Sequence, residues 1–137
     1  MIINHLLLAE AYLNKRDIEN AKRTVAKAVD YQETGETWPL HAISRFRGKI
    51  LQAEGDLAGA EEKYLEAIRI SQAQSTKTHE LYAVEDLCRL WHQQGKTEQA
   101  HARLSEMLSQ FDGQPDVGIL REAKALLQTF EVEPHVQ

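Results

Sequence analysis

Three segments of this chain carry one pattern at nearly constant spacing, and that recurrence constrains the fold more than any other feature of the sequence. The first segment reads Leu8-Ala9 and Tyr12, then Asp17, then Ala21, Val25 and Ala28. The second gives Gly48, Leu51, Gly55-Asp56, Ala60, Tyr64 and Ala67, and the third Leu87-Cys88, Trp91, Gly95, Ala100, Leu104 and Met107. Ala21, Ala60 and Ala100 follow one another at steps of 39 and 40 residues. In each unit apolar residues recur three and four apart on either side of a Gly or Asp, which is the mark of two amphipathic helices joined by a tight turn. Ala9, Gly48 and Cys88 stand where the first helix must approach the second closely, and Ala21, Ala60 and Ala100 hold the reciprocal place. Asp17, Asp56 and Thr97 are set to cap the second helices by accepting from backbone N–H groups that have no partner inside the helix.

The periodicity predicts helices over about 2–15, 17–33, 38–54, 57–74, 79–94, 97–111 and 116–131. They make a single domain over 1–137, with units at about 2–37, 38–77 and 78–111 and one further helix at about 116–131. That last helix carries Ile119, Leu120, Ala123, Leu126, Leu127 and Phe130 on one side and Arg121, Glu122, Lys124 and Gln128 largely on the other, so it reads as a C-terminal cap. Pro39 is tolerated in the first turn of its helix, and Trp38 before it is the aromatic least accounted for by packing: it staples the linker or sits exposed. A 42% hydrophobic, 27% charged chain of 137 residues has enough apolar material for a core.

The small–large–small–aromatic–small run of Gly48, Leu51, Ala60, Tyr64 and Ala67 resembles the motif of the tetratricopeptide repeat family. The resemblance covers the chain up to about Phe111. It implies an all-α fold, a right-handed superhelical stack of three antiparallel helix pairs closed by the C-terminal capping helix. Two departures from the family are visible. The unit is longer than the usual ~34 residues, and Glu33 and Gln72 replace the proline that commonly closes a unit, so the second helices should run about one turn longer. The longer unit is similar to the C-terminal helical repeats of large bacterial regulators that carry an ATPase module and a cyclase or transcription-activator domain. The stretches Arg45-Phe46-Arg47-Gly48-Lys49-Ile50-Leu51, Gly55-Asp56-Leu57-Ala58-Gly59-Ala60-Glu61, Leu87-Cys88-Arg89-Leu90-Trp91 and Glu122-Ala123-Lys124-Ala125-Leu126-Leu127 carry that likeness. It implies a protein- or peptide-binding module acting as scaffold or regulatory interaction domain. The alternative is an oligomerisation or packing segment of a larger bacterial signalling or transcriptional regulator.

Charge and composition narrow the partners. A net charge of −5 offers no cluster of Lys and Arg to release counterions from a phosphate backbone or an anionic bilayer, so neither nucleic acid nor membrane is expected. The single cysteine, Cys88, excludes an internal disulfide framework and fits the cytoplasm. The apolar start from Met1 to Ala9 has no basic segment before it and is interrupted by Glu10 and Lys15-Arg16, so it reads as helix.

Catalytic signatures are missing. No two of the six histidines stand four apart, and Ala83 occupies the place of the second His after His79-Glu80, so no metal ligand set is expected. Cys88 falls at a close-packing position, where a thiol acts as a small hydrophobe. The acidic pairs Glu61-Glu62 and Glu85-Asp86 point apart on a helix and are expected to be solvated. With no phosphate loop, GxSxG or dinucleotide fingerprint, neither an enzyme nor a bound cofactor is expected.

In the family the first helices of the pairs line the concave surface. The resemblance therefore implies partner contact through Arg45, Phe46, Lys49, Tyr82, Glu85, Arg89 and His92, with the cations holding acidic groups of a peptide and Phe46 and Tyr82 supplying apolar contact. The competing expectation is that Arg45, Lys49, Glu85 and Arg89 pair with one another across adjacent helices. Ile3, Leu6 and Leu7 exceed the apolar stripe that the first helix needs, and they imply a self-association surface, hence a homodimer through that helix.

Overall fold

The computed structural model describes residues 2–32, 40–115 and 118–132, with side chains over 7–29, 40–115 and 118–131. Glu33, Trp38 and Pro39 lie outside the described residues, as do the side chains of Ile3 and Leu6. Among the described residues there are seven α-helices and no strand: α1 (Ile2–Asn14), α2 (Ile18–Gln32), α3 (Leu40–Ala53), α4 (Leu57–Ala73), α5 (Lys77–Gln93), α6 (Thr97–Ser109) and α7 (Ile119–Val132). Each helix packs on the next in sequence, and α1, α3, α5 and α7 also lie side by side in that order. The odd-numbered helices therefore form one continuous face, while α2, α4 and α6 cover their other side.

Four of the connections are one turn repeated. At the end of α1, Asp17 N donates to Tyr12 O over 2.8 Å and Arg16 N to Leu13 O over 3.0 Å. The same two bonds recur as Asp56 to Leu51 with Gly55 to Gln52, Thr76 to Ser71 with Ser75 to Gln72, and Lys96 to Trp91 with Gly95 to His92. This Schellman arrangement satisfies the last carbonyls of a helix, and it needs one residue at positive φ. Gly55 and Gly95 provide it at 91° and 83°, whereas Arg16 and Ser75 adopt it at 64° and 58° against the steric cost of a Cβ. The connection between the second and third units, which the periodicity leaves as 75–78 between two helices, is thus as tight as those within pairs, and α5 starts at Lys77 rather than near 79.

Two of the three expected caps form. Asp56 Oδ1 accepts from Gly59 N at 2.9 Å and Asp17 Oδ1 from Asn20 N at 3.3 Å. The third does not: Lys96 occupies the N-cap of α6 without a side-chain bond, and Thr97, one residue too late, meets His92 Nδ1 at 2.9 Å.

The close crossings lie where small residues were placed. Ala9, Ala21, Ala60, Cys88 and Ala100 are fully buried, and Cys88 Sγ contacts Ala100 O at 3.4 Å. A Cβ on Gly48 would stand 2.6 Å from Cε1 of the Tyr64 ring, which fixes glycine there. Buried side chains divide into two clusters, one of Ala9, Ala21, Val25, Ala28, Ile43, Phe46 and Ile50 across α1 to α3, the other running from Ala60 to Phe130 across α4 to α7. Leu120, Ala123, Leu126 and Phe130 of α7 are buried while Arg121, Glu122, Lys124 and Gln128 face solvent, the polarity expected of a terminal cap.

Candidate functional site

The face formed by the odd-numbered helices holds a groove of about 390 Å³ whose lining comes from five helices: Glu10 of α1, Arg45, Lys49 and Gln52 of α3, Tyr64 of α4, Tyr82, Glu85, Asp86 and Arg89 of α5, and Glu122 of α7. Arg45, Lys49, Tyr82, Glu85 and Arg89, five of the seven residues that the resemblance put on the partner face, are thereby brought together.

Their partners change what they can do. Arg45 Nε donates to Asp86 Oδ2 at 2.6 Å, and Lys49 Nζ lies 3.8 Å from Asp86 Oδ1. The Arg45 guanidinium also rests over the Tyr82 ring, 5.0 Å from its centroid. Arg89 reaches Glu122 at 3.1 Å and Glu85 at 3.5 Å. The cations expected to hold acidic groups of a peptide are engaged by carboxylates of the fold itself. The competing expectation, that Arg45, Lys49, Glu85 and Arg89 pair with one another across adjacent helices, does not form as stated: Arg89–Glu85 lies within α5, and the cross-helix partners are Asp86 and Glu122.

Glu85 and Asp86 do point apart, the first towards Arg89 and α7 and the second towards α3. Their expected solvation is overturned: Glu85 is 3% and Asp86 6% exposed, because α3 and α7 close over both flanks of α5. Burial first, then a hydrogen bond with Glu122, raises the Glu85 carboxyl to about 8, against the opposing pull of Arg89. As a carboxylate, Glu85 Oε2 is buried with no donor among the described residues, whereas the protonated form carries a donor of its own beside Glu122. A second polar chain crosses the groove, with Tyr64 Oη donating to Gln52 Oε1 and Gln52 Nε2 to Gln93 Oε1, both at 2.7 Å. Burial holds the Tyr64 hydroxyl far above its ordinary value, so it remains a donor.

Two of the implied residues are placed elsewhere. Phe46 is 6% exposed and belongs to the core of α1 to α3, with the Arg45 and Lys49 charges lying over its ring at 5.8 and 5.4 Å. A side chain one position along a helix from an inward residue turns by about 100°, enough to carry it into the core. His92 packs beside Phe130, with ring centroids 5.0 Å apart, at the α5–α6 turn rather than in the groove. Sequence reasoning passed over Glu122, which the helical pattern put on the solvent side of α7; Asp86 falls on the inner side of its helix in that reasoning but is read as a solvated acid. A carboxylate one helical repeat across from two cations was the available signal for Asp86.

Elsewhere, His41 and His79 stack with ring centroids 4.0 Å apart, and burial together with the Arg45 charge lowers the His79 pKa, so His79 favours its neutral ring. Burial pushes the Cys88 thiol up to about 12, opposed by Arg103, which is the reverse of what a nucleophile needs. Among the described residues no three His, Cys, Asp or Glu side chains converge as a metal site, and no helix is long and apolar enough to cross a membrane. Leu7 is 63% and Leu8 46% exposed on α1. Comparison with family models, with curated proteins and with solved structures finds no match to this chain.

Proposed function

We propose that this chain is a tetratricopeptide-like module that binds a protein or peptide along the face of its odd-numbered helices, as a scaffold or regulatory interaction domain of the cytoplasm and without catalysing a reaction. The groove carries the reading: five helices contribute to one open concavity with Tyr82 at its wall and polar groups of both signs around it. The units at 39- and 40-residue steps favour a right-handed superhelical stack, the arrangement in which such a face curves around an extended partner. The test compares proteins retained by the immobilised chain with those retained by a Tyr82→Ala, Arg89→Ala double variant of equal helix content by circular dichroism. Loss of the retained proteins supports the groove as the contact, and unchanged retention removes it.

A second reading, an oligomerisation or packing segment of a larger bacterial signalling or transcriptional regulator, is favoured by one observation, the exposed Leu7 and Leu8 on α1. On that reading the chain forms a homodimer through α1. Light scattering over a range of concentrations, with Leu7→Glu beside the parent chain, tests it: a strict monomer at high concentration excludes self-association through this face.

A further inference from the structure

The groove is over-supplied with carboxylates. Asp86 is satisfied by Arg45 and Lys49, but Arg89 is one cation between Glu85 and Glu122, and Glu10 on the α1 side has no ion pair among the described residues. Within this acidic surplus sits a single unsatisfied buried atom, Glu85 Oε2, on a side chain only 4% exposed that lines the groove. An anionic ligand would meet Glu85, Glu122 and Glu10 while the opposing cations are already held. A ligand that brings one positive charge and N–H donors supplies what the cluster lacks.

We propose that the groove between α3, α5 and α7 receives one basic side chain of a bound peptide, with the buried Glu85 carboxylate as its principal acceptor and Glu122 and Glu10 as flanking charges. The proposal rests on the reading of this groove as a peptide-binding surface and gives it a ligand chemistry.

Burial and the neighbouring Glu122 favour the protonated form of Glu85 in the free groove. Ligand binding replaces that proton: the Glu85 O–H bond breaks, the proton leaves to solvent, and a guanidinium or ammonium N–H takes over the carboxylate. The groups that set this exchange are Asp86 and Arg89 on α5 itself, Arg45 and Lys49 from α3, Tyr64 from α4, Glu122 from α7 and Glu10 from α1, with Arg103 of α6 occupied by Glu106 on the Cys88 side. Affinity for a basic peptide therefore rises with pH as Glu85 ionises.

The probe is the blocked tripeptide acetyl-Ala-Arg-Ala-amide, whose guanidinium stays charged throughout, set against acetyl-Ala-Glu-Ala-amide. Methyl and aromatic NMR signals of the whole chain are followed at about pH 6.5 and about pH 8.5. The Arg peptide is expected to shift signals of Tyr64 and Tyr82, which line the groove, and to bind roughly tenfold or more tightly at the higher pH because the ionised fraction of Glu85 grows by that order. Glu85→Gln should lose both the affinity and its pH dependence at unchanged helix content, while Glu62→Gln, on the exposed side of α4, should keep both. Groove shifts caused by the Glu peptide alone would overturn the cation inference and leave the groove as a peptide site. Silence from both peptides, or Arg-peptide binding unchanged in Glu85→Gln, would overturn the inference, and silence from both would count against the groove reading as well.

Discussion

Asp86 holds two cations of the neighbouring helix from a position almost closed to water, with side-chain exposures of 7% for Asp86 and 14% for Arg45. Breaking such a pair leaves a desolvated guanidinium without its counter-charge, so Asp86→Asn is expected to destabilise the fold by about 2–4 kcal/mol. The exposed Lys22–Glu54 bridge has a similar length of 2.8 Å but side-chain exposures of 48% and 32%. Glu54→Gln should therefore cost less than about 1 kcal/mol, and urea denaturation of the two variants side by side measures the difference. Glu85 makes the complementary case. Its carboxyl binds a proton more tightly in the folded chain, at about 8 against an ordinary 4.5, so its contribution to stability is full below the unfolded value and is lost as pH rises through the folded one. Glu85→Gln keeps a donor towards Glu122 without an ionisable proton. It should match the parent in thermal stability near pH 5 and exceed it near pH 8.5, by on the order of 1 kcal/mol once solvent screening at the open groove is allowed for. A variant that is less stable than the parent at both pH values would contradict this assignment. That Arg45, Lys49, Tyr82, Glu85 and Arg89 share one surface was implied by the family resemblance, which assigns inner-face positions to the first helix of each pair. Which charge meets which was not, since a pairing such as Arg45 with Asp86, 41 residues away, depends on the distance and angle between two helices, and a hydrophobic period carries neither.

The helices were legible because their apolar positions keep a 3.6-residue period, and the turns after α3 and α5 because Gly55 and Gly95 mark them. The turn after α4 was hidden by its chemistry: Ser75 takes the left-handed conformation that a glycine would have advertised, and Gln74-Ser75-Thr76 reads by composition as part of a longer linker. The cap of α6 was misplaced for a related reason. Threonine is the better capping residue, yet the backbone of the repeated turn sets the N-cap one position earlier, at Lys96, where Asp17 and Asp56 stand in the other two units. The element-level consequence is testable. Lys96→Asp restores the carboxylate at the place where two sister turns use it, gives a backbone N–H of the first turn of α6 an acceptor, and puts a negative charge at the positive end of the helix. It should raise stability by about 1 kcal/mol, read as a higher denaturation midpoint with an unchanged slope. A null effect would show that the Lys96 side chain, or water, already serves the free N–H groups of that turn.

Each helix contacts its neighbours in sequence and in the row of odd-numbered helices, so cohesion is set interface by interface rather than by one central core. The two apolar clusters divide it unevenly. The α4 to α7 cluster contains Tyr64, Leu81, Leu87, Leu90, Leu104, Met107 and Phe130, whereas the α1 to α3 cluster relies on three alanines, Val25, Ile43, Phe46 and Ile50. Between them, a cleft of about 420 Å³ lined by Val25, Ala26, Ile50 and Leu51 opens along the α2 side, and α3 is the element common to both. Less apolar surface secures α1 and α2, so their opening should require less free energy than global unfolding. Native-state hydrogen exchange is expected to show weaker protection for the amides of Val25 and Ala28 than for those of Leu87 and Leu104. Phe46→Ala sharpens the test. It removes the largest side chain of the smaller cluster, at a cost of about 3–5 kcal/mol for a well-packed aromatic, and should accelerate exchange in α1 and α2 while α5 and α6 keep most of their protection. If exchange instead accelerates equally in all four helices, the chain opens as one cooperative unit and the division between the clusters has no energetic meaning. If it accelerates only in α1 and α2, the groove-bearing α5 and α7 remain folded while the α1 wall, with Glu10, comes and goes, and partner binding that orders this wall would be coupled to the stability of the first helix pair.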